Sequence, residues 1–228
     1  MAVTRLARPT TPRPRFRPYP EYKDSGVEWL GKIPAHWEVG GLKTAFWFGK
    51  GRNAQMLTAT YIQDHPGKYP VYSGQTENDG IMGFVDSYEY EFDEVLFSTT
   101  VGARAMTPMV LRGRFNLSQN CLTMVARNST VSSRFFYYQL HPCFAFERAG
   151  IPDHMQPSLR IADLIKYQVG FPPPEEQQSI AVFLDKRTAA IDILADKIRE
   201  AIGRLKEYRT ALISATVTGK IDVREEVV

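Results

Sequence analysis

The chain is poor in cysteine, has no long apolar run, and contains long stretches without a single acid, and each lack narrows what it can be. Cys121 and Cys143 are the only cysteines in 228 residues, with no CxxC and no zinc-type histidine spacing, which argues against a disulfide framework or a structural zinc. Both are expected to be core thiols, since free cysteine behaves as a small buried hydrophobe. No apolar run approaches the roughly 20 residues of a membrane span, and no apolar segment follows the N-terminal arginines as a signal peptide requires. A cytoplasmic protein with no membrane partner is expected.

The charge of +3 is informative only once it is divided along the chain. Residues 1–20 hold Arg5, Arg8, Arg13, Arg15 and Arg17 and no acid, and read as a disordered basic arm. Asp86, Glu89, Glu91, Asp93 and Glu94 form an acidic cluster. From residue 95 to 146 there is then no Asp or Glu, and the cations are Arg104, Arg112, Arg114, Arg127 and Arg134. Such a segment is what a phosphate-facing surface looks like, and equally what results if these arginines pair with the acidic cluster across a sheet.

Between residues 42 and 171 the pattern is one of short apolar runs broken by Gly and polar turns. Strands are expected at residues 69–74, 81–85, 94–100, 109–111, 121–125 and 167–171, with a strand or a helix-to-strand lead-in from Leu42 to about Lys50. Ser133 to Leu140, rich in aromatics, reads as a helix packing on the sheet, and Leu159 to Ile165 as a short turn or helix. Residues 22–39 read as an irregular segment pinned by Trp29 and Trp37. The class is α+β, with a β-rich domain followed by a long coiled-coil-type helix.

That helix is the longest-range signal in the sequence. Pro172, Pro173 and Pro174 hold the chain extended, and Glu175 and Glu176 supply the negative charge that favours a helix N-terminus. Beyond them Ile180, Leu184, Ile191, Leu194, Ile198, Ala201, Leu205, Tyr208, Leu212 and Ala215 recur at alternating three- and four-residue spacings, the a/d register of a heptad repeat, interrupted only by Arg187. With Gly203 as the one glycine before Gly219, the helix can run roughly 40 residues, or about 60 Å. An apolar stripe of that length demands a partner.

Read in order, the chain resembles the specificity subunit of type I restriction-modification enzymes. The resemblance is carried by Tyr22-Lys23-Asp24-Ser25-Gly26-Val27-Glu28-Trp29-Leu30-Gly31, Ile33-Pro34 and His36-Trp37 near the start, and by Tyr72-Ser73-Gly74 and Gly80-Ile81-Met82-Gly83. Phe171-Pro172-Pro173-Pro174-Glu175-Glu176-Gln177-Gln178, Phe183-Leu184-Asp185 and Gly219-Lys220-Ile221-Asp222-Val223-Arg224 extend it to the end. The resemblance implies a target recognition domain at residues 21–171 that reads double-stranded DNA, then a spacer and dimerisation helix at 172–218 and a tail at 219–228. It implies methyltransferase (modification) and restriction subunits as partners, with S-adenosylmethionine, ATP and Mg used there and no cofactor held by this chain. Full-length members carry two recognition domains and two spacer helices, whereas each motif occurs once here. Either a natural half-size chain that pairs as a homodimer or with a second half-subunit, or a fragment of a longer one, is implied; the start and the ending at Val223-Arg224 favour the former as an expectation. A dimer would read a two-part, symmetric site.

Base readout needs side chains that donate and accept in pairs, Arg to guanine and Asn or Gln to adenine. The candidates are Gln75, Asn78, Arg104, Asn116, Ser118, Gln119 and Asn120, with Lys50, Arg52, Arg112 and Arg114 expected on phosphates. Catalysis by the chain is not expected. The prolines at 172–174 are preceded by Phe171 rather than by the Asn or Asp of an amino-methylating loop, and the GxxxxGK[ST] phosphate loop is absent around Gly49-Lys50-Gly51. Glu21-Tyr22-Lys23 has the form of a nuclease Glu-x-Lys but no upstream acid, and His36, His65, His141 and His154 are scattered. The alternative of another class is a coiled-coil scaffold whose β-rich domain binds protein, which would show binding insensitive to salt.

Overall fold

The computed structural model describes residues 16–74 and 77–224, so most of the basic arm, Gln75 and the last four residues of the tail lie outside the described residues. The chain divides into two compact units between Gln177 and Gln178.

The first unit opens with a hairpin, β1 (Tyr22–Asp24) and β2 (Lys32–Pro34), then β3 (Glu38–Gly41), α1 (Leu42–Ala45) and β4 (Phe46–Lys50). There follow α2 (Ala59–Asp64), β5 (Pro66–Tyr72), a 3-10 turn (Glu77–Gly80), β6 (Ile81–Val85), β7 (Tyr90–Thr99), β8 (Pro108–Leu117) and β9 (Cys121–Ala126). Helices α3 (Ser133–Ala149) and α4 (Ile161–Leu164) precede β10 (Gln168–Phe171), and α5 (Pro174–Val217) begins in this unit and supplies the second. Six strands form one mixed sheet in the order β4-β9-β7-β8-β5-β6, in which only β5 and β8 run parallel.

Strand β7 is central because its second half reads as a continuous apolar run: Val95, Leu96 and Phe97 are fully buried, as a strand covered on both faces must be. Helix α3 lies against β7 and β8 and buries Phe135, Phe136, Leu140, Cys143 and Phe144, spaced along one face. The Ser132 hydroxyl caps it by accepting from the Phe135 N–H, and the Phe136 ring meets Phe46 edge-on at 5.2 Å. Both cysteines are buried as expected, and burial pushes each thiol up to about 12.

Three local expectations are corrected. Residues 22–39 are not irregular but built on β1, β2 and β3, although the tryptophans do pin them: the Trp29 indole donates to the Gln168 carbonyl at 3.0 Å and the Trp37 indole to the Glu176 carboxylate at 3.1 Å. Helix α3 runs past Pro142 to Ala149, because its buried face continues through Cys143 and Phe144 and offsets the lost hydrogen bond. The run at 109–111 is one end of β8, a strand of ten residues that carries Arg112, Arg114 and Asn116 within it. Gly113 sits at φ +77° where β7 bulges between Phe92 and Val95, so the Arg-Gly-Arg triplet runs on through the strand opposite that bulge rather than turning. The strand expected at 167–171 is present as β10, which pairs with β3 in a two-stranded sheet.

The second unit is dominated by α5. Its 44 residues carry the expected heptad positions, and Ile191, Leu205 and Tyr208 are 64%, 66% and 66% exposed. Among the described residues no helix is long and apolar enough to cross a membrane.

Candidate nucleic-acid interface

The turn at residues 118–120, between β8 and β9, is where the loops of the first unit converge. Its backbone is gripped from both sides: the Ser118 N–H donates to the Tyr72 carbonyl and the Thr100 N–H to the Asn120 carbonyl, each at 2.8 Å. Asn120 holds the left-handed conformation at φ +63°, which asparagine tolerates better than most residues. A side chain at Gly51 would come within 2.3 Å of the Leu117 carbonyl oxygen, and one at Gly74 within 2.9 Å of Asn120 Cβ, so glycine lets both neighbouring loops close on the turn. On the far side the Leu159 N–H donates to the Thr100 carbonyl at 2.7 Å and Val101 bridges to Ser158, which brings Arg160 to the same place.

Two adjoining clefts result. One, of about 570 Å3, is lined by Lys50, Arg52, Gln55, Gln119, Asn120 and Arg160 among others. The second, of about 510 Å3, shares Gln55, Gln119 and Asn120 and adds Thr58 and Ser73. Among the described residues that line them there are three cations, several amides and hydroxyls, and no Asp or Glu. The acids gather elsewhere, in a third cleft that includes Glu28, Glu147 and Asp163, where burial and then the neighbouring Asp163 raise the pKa of Glu147.

The end of β4 is held in place by Tyr90. Because β7 bulges between Phe92 and Val95, its first residue reaches the end of β4, where the Tyr90 hydroxyl donates to the Lys50 carbonyl at 2.9 Å and accepts from the Arg52 N–H at 3.2 Å. The Arg52 guanidinium lies 5.7 Å from the centre of that ring. Glu89 has both carboxylate oxygens enclosed beside this loop; burial raises its pKa, against the pull of the Asn53 backbone and the Arg52 charge.

The candidate residues separate into three groups. Lys50, Arg52, Gln119 and Asn120 are brought together, all exposed around one rim. Asn78 and Arg104 are exposed on other loops, Asn78 at φ +49° in the 3-10 turn, and Arg104 in a loop whose Ala103 and Ala105 carbonyls are clamped by Arg148 at 2.9 and 2.8 Å. The remaining four are engaged within the fold. Asn116 is buried and donates to the Ser87 carbonyl at 2.8 Å, and Ser118 is buried with its hydroxyl toward the Leu57 carbonyl at 3.4 Å. Arg112 pairs with Glu94 at 2.5 Å and Arg114 with Glu91 at 3.0 Å, the latter also lying over the Tyr88 ring at 4.8 Å.

These contacts decide what the acid-free segment leaves open. Two of its five arginines pair across strands with the acidic cluster, and two more stack on aromatics, Arg127 over Trp47 at 3.3 Å and Arg134 over Tyr137 at 4.9 Å. The segment is therefore not a phosphate surface as a whole. Gln55 and Arg160 belong to the rim and are missing from the candidates drawn from sequence. Gln55 stands in the polar run that continues from Lys50, a signal that was there to use, whereas Arg160 is delivered by backbone pairing across some sixty residues of chain and has no local signature.

Comparison with known proteins gives a consistent picture. The family model for the type I restriction modification DNA specificity domain matches residues 36–204. A putative type I specificity subunit of Mycoplasma pneumoniae, S.MpnORF507P, is 30% identical over 156 residues, 67% of this chain and 40% of that protein. Another from the same organism, S.MpnORF285P, is 33% identical over 157 residues, 67% of this chain and 48% of its own length. The crystal structure of the S subunit of a type I restriction-modification system from M. genitalium superposes with a TM-score of 0.56 at 21% identity, over 71% of this chain and 41% of that one, a likeness of fold. The chain spans about half the length of the curated relatives it matches.

Proposed function

Because the chain belongs to the type I restriction modification DNA specificity family, we propose that it is a sequence-specific DNA recognition subunit that reads one half of a two-part site. The observation that carries this reading is the rim of cations and amides around residues 118–120, with no acid among its described lining. Lys50, Arg52 and Arg160 hold phosphates and set the register, while Gln55, Gln119 and Asn120 meet base edges, where an amide can both donate to and accept from adenine. Asn78 and Arg104 are exposed on separate loops, from which they add contacts to flanking bases. The chain performs no chemistry itself; methyl transfer and cleavage, with S-adenosylmethionine, ATP and Mg, belong to modification and restriction subunits that dock on it.

Helix α5 is the spacer in this reading, and its exposed stripe supports pairing with a further helix, from a second copy or from a second half-subunit. The second recognition domain of the two-part site arrives with that partner.

The test begins by selecting the preferred duplex from a random pool with the purified chain and measuring binding across a salt series. Gln119→Ala is expected to weaken the selected duplex about tenfold and random duplex little, whereas Lys50→Ala weakens both alike and lowers the salt slope by about 1. Binding that ignores salt would turn the first unit into a protein-binding module.

A further inference from the structure

We propose that the stripe on α5 takes a partner helix whose flanks are acidic, in preference to a second copy of this chain; the inference rests on the reading that α5 is a docking element. With Ile191, Ile198 and Leu205 at a positions and Leu194 and Tyr208 at d, the flanking e and g positions between Ile191 and Leu212 can be read off the sequence. Those at g are Lys197, Arg204 and Ala211, and those at e are Ala195, Ile202 and Arg209. Arg187 occupies a d position one heptad earlier.

The acids of the same span are Asp192, Asp196, Glu200 and Glu207, and all four fall at b, c or f, on the face away from the stripe. Two of them hold the helix's own arginines, Asp196 with Arg199 at 2.5 Å and Glu200 with Arg204 at 2.6 Å. The flanks of the stripe thus carry cations and no acid, with Arg204 shared with Glu200 from behind, while the acids and the remaining cations Arg199 and Lys206 lie on the far face.

Segregation of this kind selects partners. In a parallel pair g faces e of the other helix, and in an antiparallel pair g faces g and e faces e. Since this span has no acid at e or g, no orientation and no register lets two copies form an ion pair across the seam, and several registers oppose Lys197, Arg204 or Arg209 to one another. The apolar seam drives association in either case, and the flanks decide with what. A helix with the same apolar spacing and Glu or Asp at e and g meets every one of these cations with its opposite.

The experiment uses two synthetic helical peptides with the same Ile/Leu seam, one with Glu and one with Lys at every e and g position, titrated with the purified full chain, and sedimentation of the chain alone. The Glu peptide is expected to bind about tenfold or more tightly than the Lys peptide, the sum of a few exposed ion pairs, with the gap narrowing as salt rises. Self-association of the chain should be weak at low salt and tighten as salt screens its cations. The triple variant Lys197→Glu, Arg204→Glu, Arg209→Glu should invert the peptide preference. Equal binding of both peptides, no binding of either, or a chain dimer that is insensitive to salt and not displaced by the Glu peptide, would overturn the proposal. Duplex binding by the same preparation is read separately: peptide preference without sequence-selective duplex binding sinks the recognition reading and leaves this one standing.

Discussion

The two compact units treat apolar surface in opposite ways. In the first, Phe97, Phe115 and Phe136 are fully buried and even the exposed arginines of β8 find acids on the neighbouring strand. In the second, the large apolar residues of the stripe between Ile191 and Leu212 are 43% to 66% exposed. The first unit buries those three aromatic side chains within one chain. The second leaves apolar surface exposed, worth about 25 cal/mol for each Å2 that a partner would cover.

Substitution of core against stripe is the sharpest way to break that contrast. Phe97→Ala is expected to destabilise the chain by about 3–5 kcal/mol, through lost burial and the cavity left behind. Leu205→Ala should stay within about 0.5 kcal/mol in thermal unfolding of the isolated chain, as exposed positions do, while impairing helix pairing. Equal losses would mean that the stripe is already covered within the chain.

A smaller effect is expected at Glu176, which completes the first unit. Its carboxylate accepts hydrogen bonds from the Tyr19 hydroxyl and the Trp37 indole and meets His36 Nε2 at 2.8 Å. Burial alone would raise its pKa; the bonds from Tyr19, His36 and Trp37 outweigh it and hold the group below the ordinary carboxylate value. A depressed folded pKa gives stability that is present above the unfolded value and is lost as pH falls through the folded one. Denaturant midpoints should therefore hold from neutral pH down to about 5 and drop in more acid solution, and Glu176→Gln should flatten the drop. Glu176→Ala is expected to cost about 2 kcal/mol, the loss of a charged acceptor shared by several donors.

The smallest effect tests whether charges of the first unit are satisfied internally. Arg112→Ala should cost less than about 1 kcal/mol, since an exposed ion pair contributes no more, and should leave DNA affinity unchanged. A tenfold loss of affinity would return Arg112 to the DNA-facing surface and blur the contrast.

What could be read from the sequence follows the range of the interactions. The start and length of α5 are local matters of prolines, acids and helical spacing, and they were legible almost to the residue: a helix of roughly 40 residues is expected after the prolines, and α5 runs from Pro174 to Val217. Strands β6, β7 and β9 announced themselves as short apolar runs. The centre of β8 did not, because Gly113 between two arginines has the composition of a turn and only the facing strand gives it another use. The rim was half legible. Lys50, Arg52, Gln119 and Asn120 line the same cleft, but nothing in the sequence distinguishes them from Arg112, Arg114, Asn116 and Ser118, whose partners are Glu94, Glu91, Ser87 and Leu57. Arg160 was invisible because its position depends on the backbone bond between Leu159 and Thr100.

The grip on residues 118–120 has a consequence for how such a protein changes over generations. The turn is fastened through main-chain atoms, Ser118 to Tyr72 and Asn120 to Thr100, and through the absence of side chains at Gly51 and Gly74. None of those fastenings involves the Gln119 side chain, which is exposed. Position 119 can therefore be retyped at almost no expense in folding, whereas position 120 admits only residues at ease with positive φ. On the proposed reading, in which Gln119 meets a base edge, single substitutions at position 119 would move target preference while the scaffold stays still.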